Sequence, residues 1–172
     1  MITAVTAVNC QPLSRWRRTP AIPPNFGESF GSNAPVNYER YFVPVIGKPL
    51  AERLVRAAQL KPGERVLDVA CGTGIVARLA ARDVGDSGVV AGLDVNPGML
   101  AVAKAALNDD SVEWFEAGME AMPVPDGAFD VVTCQMGLQF VPDKDAARRR
   151  CTARSNRAAV WSSMFPVRSP RP

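Results

Sequence analysis

Hydrophobic and polar positions alternate along the middle of the chain in two different periods, and the change from one to the other marks its elements. "RVLDVA" (Arg65 to Ala70) is a short apolar run interrupted once by a carboxylate, the pattern of a buried strand. "TGIVARLAARDVG" follows, with Ile75, Val76, Leu79 and Ala80 on one helical face. "GVVAGLD" returns to the strand pattern, so these three segments predict a β-α-β unit. A helix is predicted from Pro97, which suits a first helical turn, through Leu107. "SVEWFEA" and "FDVVTCQ" then read as a third and a fourth strand. Upstream, "NYERYFVPVIGKPLAERLVRAAQL" offers helical segments broken near Pro44 and Gly47, with Leu50, Leu54, Val55 and Ala58 at helical spacing. Strands separated by helices imply an α/β fold, a Rossmann-like, doubly wound parallel sheet with right-handed crossovers.

Composition narrows the chemistry. The 172 residues are 47% hydrophobic, enough for one packed domain. No run of eighteen apolar residues is present, so no membrane span is expected. The opening "MITAVTAVNCQPLSRWRRTP" places its apolar patch before its arginines, the wrong order for a secretory signal, and a cytoplasmic location is expected. Four cysteines without a C-x-x-C pair argue for reduced thiols rather than a disulfide framework or a zinc site. Histidine is absent altogether, which removes Ser-His and Cys-His nucleophile activation and the commonest metal ligand. The net charge of +3 is unevenly spread: residues 1–145 hold 13 basic against 17 acidic groups, and seven arginines with no acid follow. A basic pI thus belongs to the tail, and nucleic acid is not an expected partner.

In a doubly wound sheet the ligand lies beyond the carboxyl ends of the strands. Gly72 and Gly74 stand where the first strand turns into its helix, and Ala77 completes a G-x-G-x-x-A pattern, which lets a ligand approach bare backbone. Asp94 closes the second strand about 20 residues beyond Gly74, where an acidic residue meets a ribose diol. Two ligand classes fit this corner. A dinucleotide places pyrophosphate at the helix start, where Asp68 would repel it. S-adenosylmethionine carries an ammonium and a sulfonium instead, both favoured by a carboxylate. Asp68 is also able to cap the turn by accepting backbone N–H groups.

"VLDVACGTG", "GLDVNPGML" and "MPVPDGAFDVVTCQMGLQFVPD" resemble the successive motifs of class I S-adenosylmethionine-dependent methyltransferases of type 11, related to the ubiquinone and menaquinone enzymes. The resemblance covers about residues 34 to 146. It implies S-adenosyl-L-methionine as cofactor and a small-molecule methyl acceptor. It also implies that Asp68, Ala70, Gly72 and Gly74 surround the methionine part, that Asp94 binds the ribose and that Val95 packs beside the adenine. Met119 and Glu120 would border the adenine edge, and Gln135 the mouth after the fourth strand. Gly118 stands where many relatives carry aspartate, which leaves Met119 to supply a backbone N–H. No catalytic base stands out, and an in-line displacement depends mainly on positioning and exclusion of water. Tyr38, Tyr41 and Phe42 are expected to pack near the acceptor.

After "QFVPDKDAA" the resemblance implies a helix, a Pro-Gly-Gly turn and a valine-rich fifth strand, whereas this chain continues "RRRCTARSNRAAVWSSMFPVRSPRP". Read one base out of frame with GC-rich codons, Ser155 to Phe165 give Glu-Pro-Gly-Gly-Arg-Val-Val-Val-Asp-Val, and the unique codons of Trp161 and Met164 force the first base of two of those valine codons. A frameshift between Ala146 and Arg150, truncating the fold, is therefore expected. Three regions follow: residues 1–33 as a flexible segment or start-site extension, 34–146 as the cofactor-binding core, and 147–172 as an aberrant basic tail. The sheet would hold strands one to four with the later ones missing or replaced, leaving the fourth as an edge unless "AAVWSSMF" adds a substitute. A non-catalytic cofactor-binding fragment is the alternative reading, and a NAD-binding oxidoreductase domain a more distant one.

Overall fold

The computed structural model describes residues 33–107 and 111–162; the expectations for residues 1–32 and 163–172 lie outside them. Five strands form one parallel sheet in the order β3-β2-β1-β4-β5: β1 (Arg65–Val69), β2 (Val89–Asp94), β3 (Val112–Glu116), β4 (Phe129–Gln135) and β5 (Ser155–Ser162). The helices are α1 (Ala34–Asn37), α2 (Lys48–Ala58), α3 (Ile75–Val84), α4 (Pro97–Leu107) and α5 (Lys144–Arg154). The expected α/β doubly wound sheet is thus present, with the strand switch between β1 and β4.

Both faces of the sheet are covered, which is why its strands read as nearly continuous apolar runs. Leu67, Val69, Ala91, Leu93, Val132 and Cys134 pack on one side with Ala147 and Cys151 of α5. Val66, Val90 and Val131 pack on the other with Ala58 of α2 and Ala77, Ala80 and Val84 of α3. Burial of these side chains on two opposite faces supplies the main driving force for the fold. Among the described residues, no helix is long and apolar enough to cross a membrane.

Two expectations are corrected. The break foreseen at Pro44 and Gly47 does not occur: Tyr38–Gly47 is a π-helical segment that joins α1 to α2. Its exit shows the wider register, for the Lys48 N–H donates to the Val43 carbonyl five residues back, and the changed spacing accommodates a proline that lacks an N–H.

The second correction concerns β4, which is not an edge, because the alternative expectation of a substitute strand holds. β5 pairs with it in parallel, Val131 opposite Ala158 through Gln135 opposite Ser162. The segment Ser155–Ser162 thus takes the replacement position, and it does so because its apolar side chains alternate. Ala159 and Trp161 pack against the α5 side of the sheet, and Val160 against the α2 and α3 side. Asp143 begins α5 by accepting the Ala146 N–H at 2.8 Å, an N-cap. The arginines of this region are used locally: Arg154 pairs with Asp126, and Arg157 with Glu64 at 2.8 Å.

At the opposite end of the strands, Arg65 grips Asp130 with two side-chain bonds, Nη2 to Oδ1 at 2.8 Å and Nε to Oδ2 at 3.2 Å, while its backbone N–H donates to Oδ2 at 2.9 Å. The Arg65 hydrogen bonds hold the Asp130 carboxyl below its ordinary value of 3.8. A depressed carboxylate stabilises above its unfolded pKa and loses that contribution as pH falls through the folded value. Asp130→Asn is therefore expected to cost about 1 kcal/mol at pH 7, as a partly exposed bidentate pair does, and much less at pH 3. Urea unfolding at both pH values measures it; equal losses at both would exclude the ionic contribution.

Candidate functional site

The turn after β1 is built from unusual backbone. Ala70, Gly72 and Gly74 have φ of 55°, 56° and 82°, and together they swing the chain into α3. Gly74 has a second reason to lack a side chain. A β-carbon there would meet Trp114 Cη2 at 2.5 Å, and one at Gly92 would meet the same indole at 2.5 Å. Trp114, from β3, thus lies beneath the glycine turn, so part of the motif is required by packing alone.

Asp94 closes β2 and organises this corner. Its Oδ2 accepts the Gly72 N–H at 2.8 Å and its Oδ1 the Asn96 N–H at 2.9 Å. Asn96 in turn accepts from Gly98 and Met99 at 2.9 and 3.2 Å, capping α4. Burial raises the Asp94 pKa, and the backbone donors oppose the shift. A carboxylate has about four acceptor positions, and with the Val95 N–H also directed at this one room remains for a ligand hydroxyl.

Asp68 is 1% exposed in the middle of the sheet. Its neighbour across the ladder, Thr133, donates to Oδ1 at 3.0 Å, while Oδ2 is buried without a partner among the described residues. Burial pushes the carboxyl up to about 7, with the Thr133 bond working against that, the Asp94 charge adding to it and the Ala77 N–H of α3 also opposing it. A carboxyl held near neutrality in an apolar setting is one that a cation would ionise. Among the described residues, two further buried oxygens at these strand ends have no hydrogen-bond partner, Thr73 Oγ1 and Gln135 Oε1.

The helical segment before β1 reaches over the turn. A β-carbon at Gly72 would lie 3.9 Å from Tyr38 Cε1, and the Tyr38 ring stacks on Phe42 at 4.7 Å. Burial, then the charges of Asp94, Glu39 and Asp68, raise the Tyr38 pKa, which keeps the phenol protonated. Arg78 ties this segment to the turn by donating to Glu39 Oε1 and to the Thr73 carbonyl, each at 2.7 Å. At the far end Gln135 Nε2 donates to the Gly47 carbonyl at 3.0 Å. Gln135 is thus a fastener between β4 and the π-helical segment, with its carbonyl oxygen left over.

On the other side of Asp94, the Ala117 N–H donates to the Asp94 carbonyl at 3.0 Å, which sets Gly118 beside Val95. Met119 is buried and Glu120 exposed. Asp68, Ala70, Gly72, Gly74, Asp94 and Val95 therefore adjoin one corner, with Met119 and Glu120 along the β3 side and Gln135 at the end of β4. Sequence reasoning missed Thr133, a hydroxyl within an apolar strand whose partner is 65 residues away, and Trp114, whose small neighbours are the only signal. Among the described residues, no group of three or more His, Cys, Asp or Glu side chains is placed to hold a metal ion.

Residues 66–156, just over half of the chain, match the family described as a methyltransferase domain. A ubiquinone/menaquinone biosynthesis C-methyltransferase UbiE from Xanthomonas oryzae is 46% identical over 99 residues, 55% of this chain and 39% of that one. The chain spans about two fifths of the length of the curated relatives it matches. A putative methyltransferase from Bacillus halodurans has a similar structure, with a TM-score of 0.56 and 30% identity over 61% of this chain and 46% of that one. An S-adenosylmethionine-dependent methyltransferase from Aquifex aeolicus shares the fold at a TM-score of 0.60 and 22% identity, covering 70% of this chain and 66% of its own. With its parallel sheet, its glycine turn and this match, the chain belongs to the methyltransferase domain family.

Proposed function

We propose that the chain binds S-adenosyl-L-methionine at the glycine turn and directs its methyl group to a small-molecule acceptor. The observation that carries this reading is Asp68, a buried carboxyl with a pKa raised to about 7 and one oxygen without a hydrogen-bond partner among the described residues. Such a group gains most from a ligand cation. The residues present fit the cofactor: Asp68 would face its cationic amino-acid part, Asp94 would accept from the ribose hydroxyls, and Val95 would pack on the base. When bound, the cofactor supplies an electrophilic methyl on sulfur, which passes in line to a nucleophilic atom of the acceptor. The protein's share is to orient, to exclude water and to hold the turn in place through Trp114 and Arg78. The kinship to relatives named as ubiquinone/menaquinone biosynthesis C-methyltransferases supports carbon as the methylated atom. Three buried free thiols, Cys71, Cys134 and Cys151, suit the reducing cytoplasm.

A phosphate ligand is disfavoured on the same geometry. The Gly72 N–H, which a pyrophosphate would need, already donates to Asp94, and Arg78 is engaged by Glu39 and the Thr73 carbonyl. Calorimetric titration is expected to show S-adenosylhomocysteine binding and no NAD binding. A radiolabelled methyl-transfer assay with phenol and quinol acceptors then tests turnover. Binding of NAD alone would sink the assignment, and cofactor binding without turnover on any acceptor would leave a non-catalytic domain.

A further inference from the structure

We propose that Thr133 is a positioning residue for the cofactor: its hydroxyl donates to Asp68, favours the charged form of that carboxyl and leaves Oδ2 for the ligand's cation. The inference rests on the cofactor reading above. Thr133 lies directly opposite Asp68 in the β1–β4 ladder, and the two are 0% and 1% exposed. Its Oγ1 is 3.0 Å from Asp68 Oδ1 and 3.4 Å from the Leu67 carbonyl oxygen. Valine fills nearly the same volume and suits a buried parallel strand, as Val131 and Val132 just before it show. A buried hydroxyl costs free energy unless it is hydrogen-bonded, so its presence in β4 marks the partner it serves.

A hydroxyl has one proton to give and two lone pairs with which to accept. Facing the ionised carboxyl, it donates to Oδ1, the shorter of its two contacts. Facing the protonated acid, it accepts that proton and gives its own to the Leu67 carbonyl. Thr133 thus serves both states of Asp68 but favours the charged one, because a hydrogen bond to a charged group is the stronger. The surrounding groups do not replace it. Asp94 of β2 opposes ionisation of Asp68, and the Ala77 N–H of α3 favours it. Tyr38 of the π-helical segment, Cys71 of the turn and Cys134 of β4 all sense the Asp68 charge, and burial raises their pKa values, so they stay neutral in mild acid and mild base. Arg78 of α3 is engaged by Glu39 and the Thr73 carbonyl. Among these side chains, Thr133 is the one that supports the charge before a cation arrives.

Calorimetry on the full chain with S-adenosylhomocysteine, from about pH 6 to about pH 8.5, tests this across the range in which Asp68 ionises. Loss of a hydrogen bond to a charged group is expected to raise the pH of that ionisation by about one unit. Thr133→Val should therefore bind about tenfold more weakly than the wild type at the acid end and within about twofold of it at the basic end. Thr133→Ser, which keeps the hydroxyl, should follow the wild-type profile. In an Asp68→Asn background, Thr133→Val should shift affinity by less than about threefold, and equally at both ends. A purely structural role for Thr133 would weaken binding alike at every pH. That result, or a serine variant that behaves as the valine one does, would overturn the role of Thr133 while the cofactor assignment stands. If the wild type fails to bind S-adenosylhomocysteine, both fall.

Discussion

Asp94→Ala is expected to weaken S-adenosylhomocysteine binding by about 100-fold, close to 3 kcal/mol. Hydrogen bonds to a charged group contribute about 1.5 to 3 kcal/mol, and the upper end applies because Asp94 has two tasks. It is placed to meet the ribose hydroxyls, and it also holds the Gly72 and Asn96 N–H groups at 2.8 and 2.9 Å. Removing it frees the glycine turn from the loop that begins α4, so the ligand would meet a less ordered corner as well as a missing acceptor. Asp94→Asn keeps one acceptor oxygen and should lose about tenfold less. Titration calorimetry of the two variants, with Asp130→Asn as a distant control, measures the difference. An unchanged dissociation constant in Asp94→Ala would show that the nucleoside is held elsewhere.

Asp68→Asn should act in opposite directions on binding and on stability, and both effects should depend on pH. In the folded protein the carboxyl is raised from 3.8 to about 7, chiefly by burial. Between those values the folded state holds a proton that the unfolded state has released. Stability from this group is therefore full below 3.8 and is lost as pH rises through 7, at a slope of up to about 1.4 kcal/mol per pH unit. The amide cannot ionise, so the variant should be the more stable of the two at pH 8 and gain little at pH 4. Binding shows the reverse. A cationic ligand lowers the Asp68 pKa, so wild-type affinity should rise from pH 5.5 to pH 8 with release of a proton. Asp68→Asn should bind S-adenosylhomocysteine about 30- to 100-fold more weakly at pH 8, the size of a lost buried charge contact, and the gap should narrow at pH 5.5. Thermal unfolding and calorimetry in buffers of different ionisation enthalpy read the two effects. A gap that stayed constant with pH would mean that Asp68 acts only as a cap for the turn.

How much of this was legible depends on how local each signal is. β1 to β4 and α3 to α4 were readable because their apolar periods are clean and their turn residues adjoin them. The glycine turn and Asp94 were readable because their chain separation is set by the strand-turn-helix unit. The π-helical segment was not, since Pro44 and Gly47 are breakers in ordinary helical register and only the five-residue bond to Val43 shows the widened one. β5 was legible only as the alternative, "AAVWSSMF" as a substitute strand, because flanking arginines and serines obscure the alternation of Ala159, Val160 and Trp161 that places it beside β4. The contacts that shape the corner were invisible for another reason. Asp68 with Thr133, Trp114 under Gly74 and Gly92, and Glu120 over Gly118 all depend on side chains meeting in space, and no spacing rule encodes them.

The strand order also has a consequence for the sequence of events in folding. β1 pairs with β2 across a single crossover of ordinary length, Arg65 opposite Val89, whereas its other neighbour starts with Val66 opposite Val131. Closing that second, much longer loop costs more chain entropy and gains no contact until β4 arrives. The half of the site on β1, β2 and β3 is thus the local half, and it is expected to form first. Asp68 meets Thr133 only when β4 docks. Docking of β4 adds to the burial that raises the Asp68 pKa to about 7, so this step is expected to be more favourable in mild acid than in mild base.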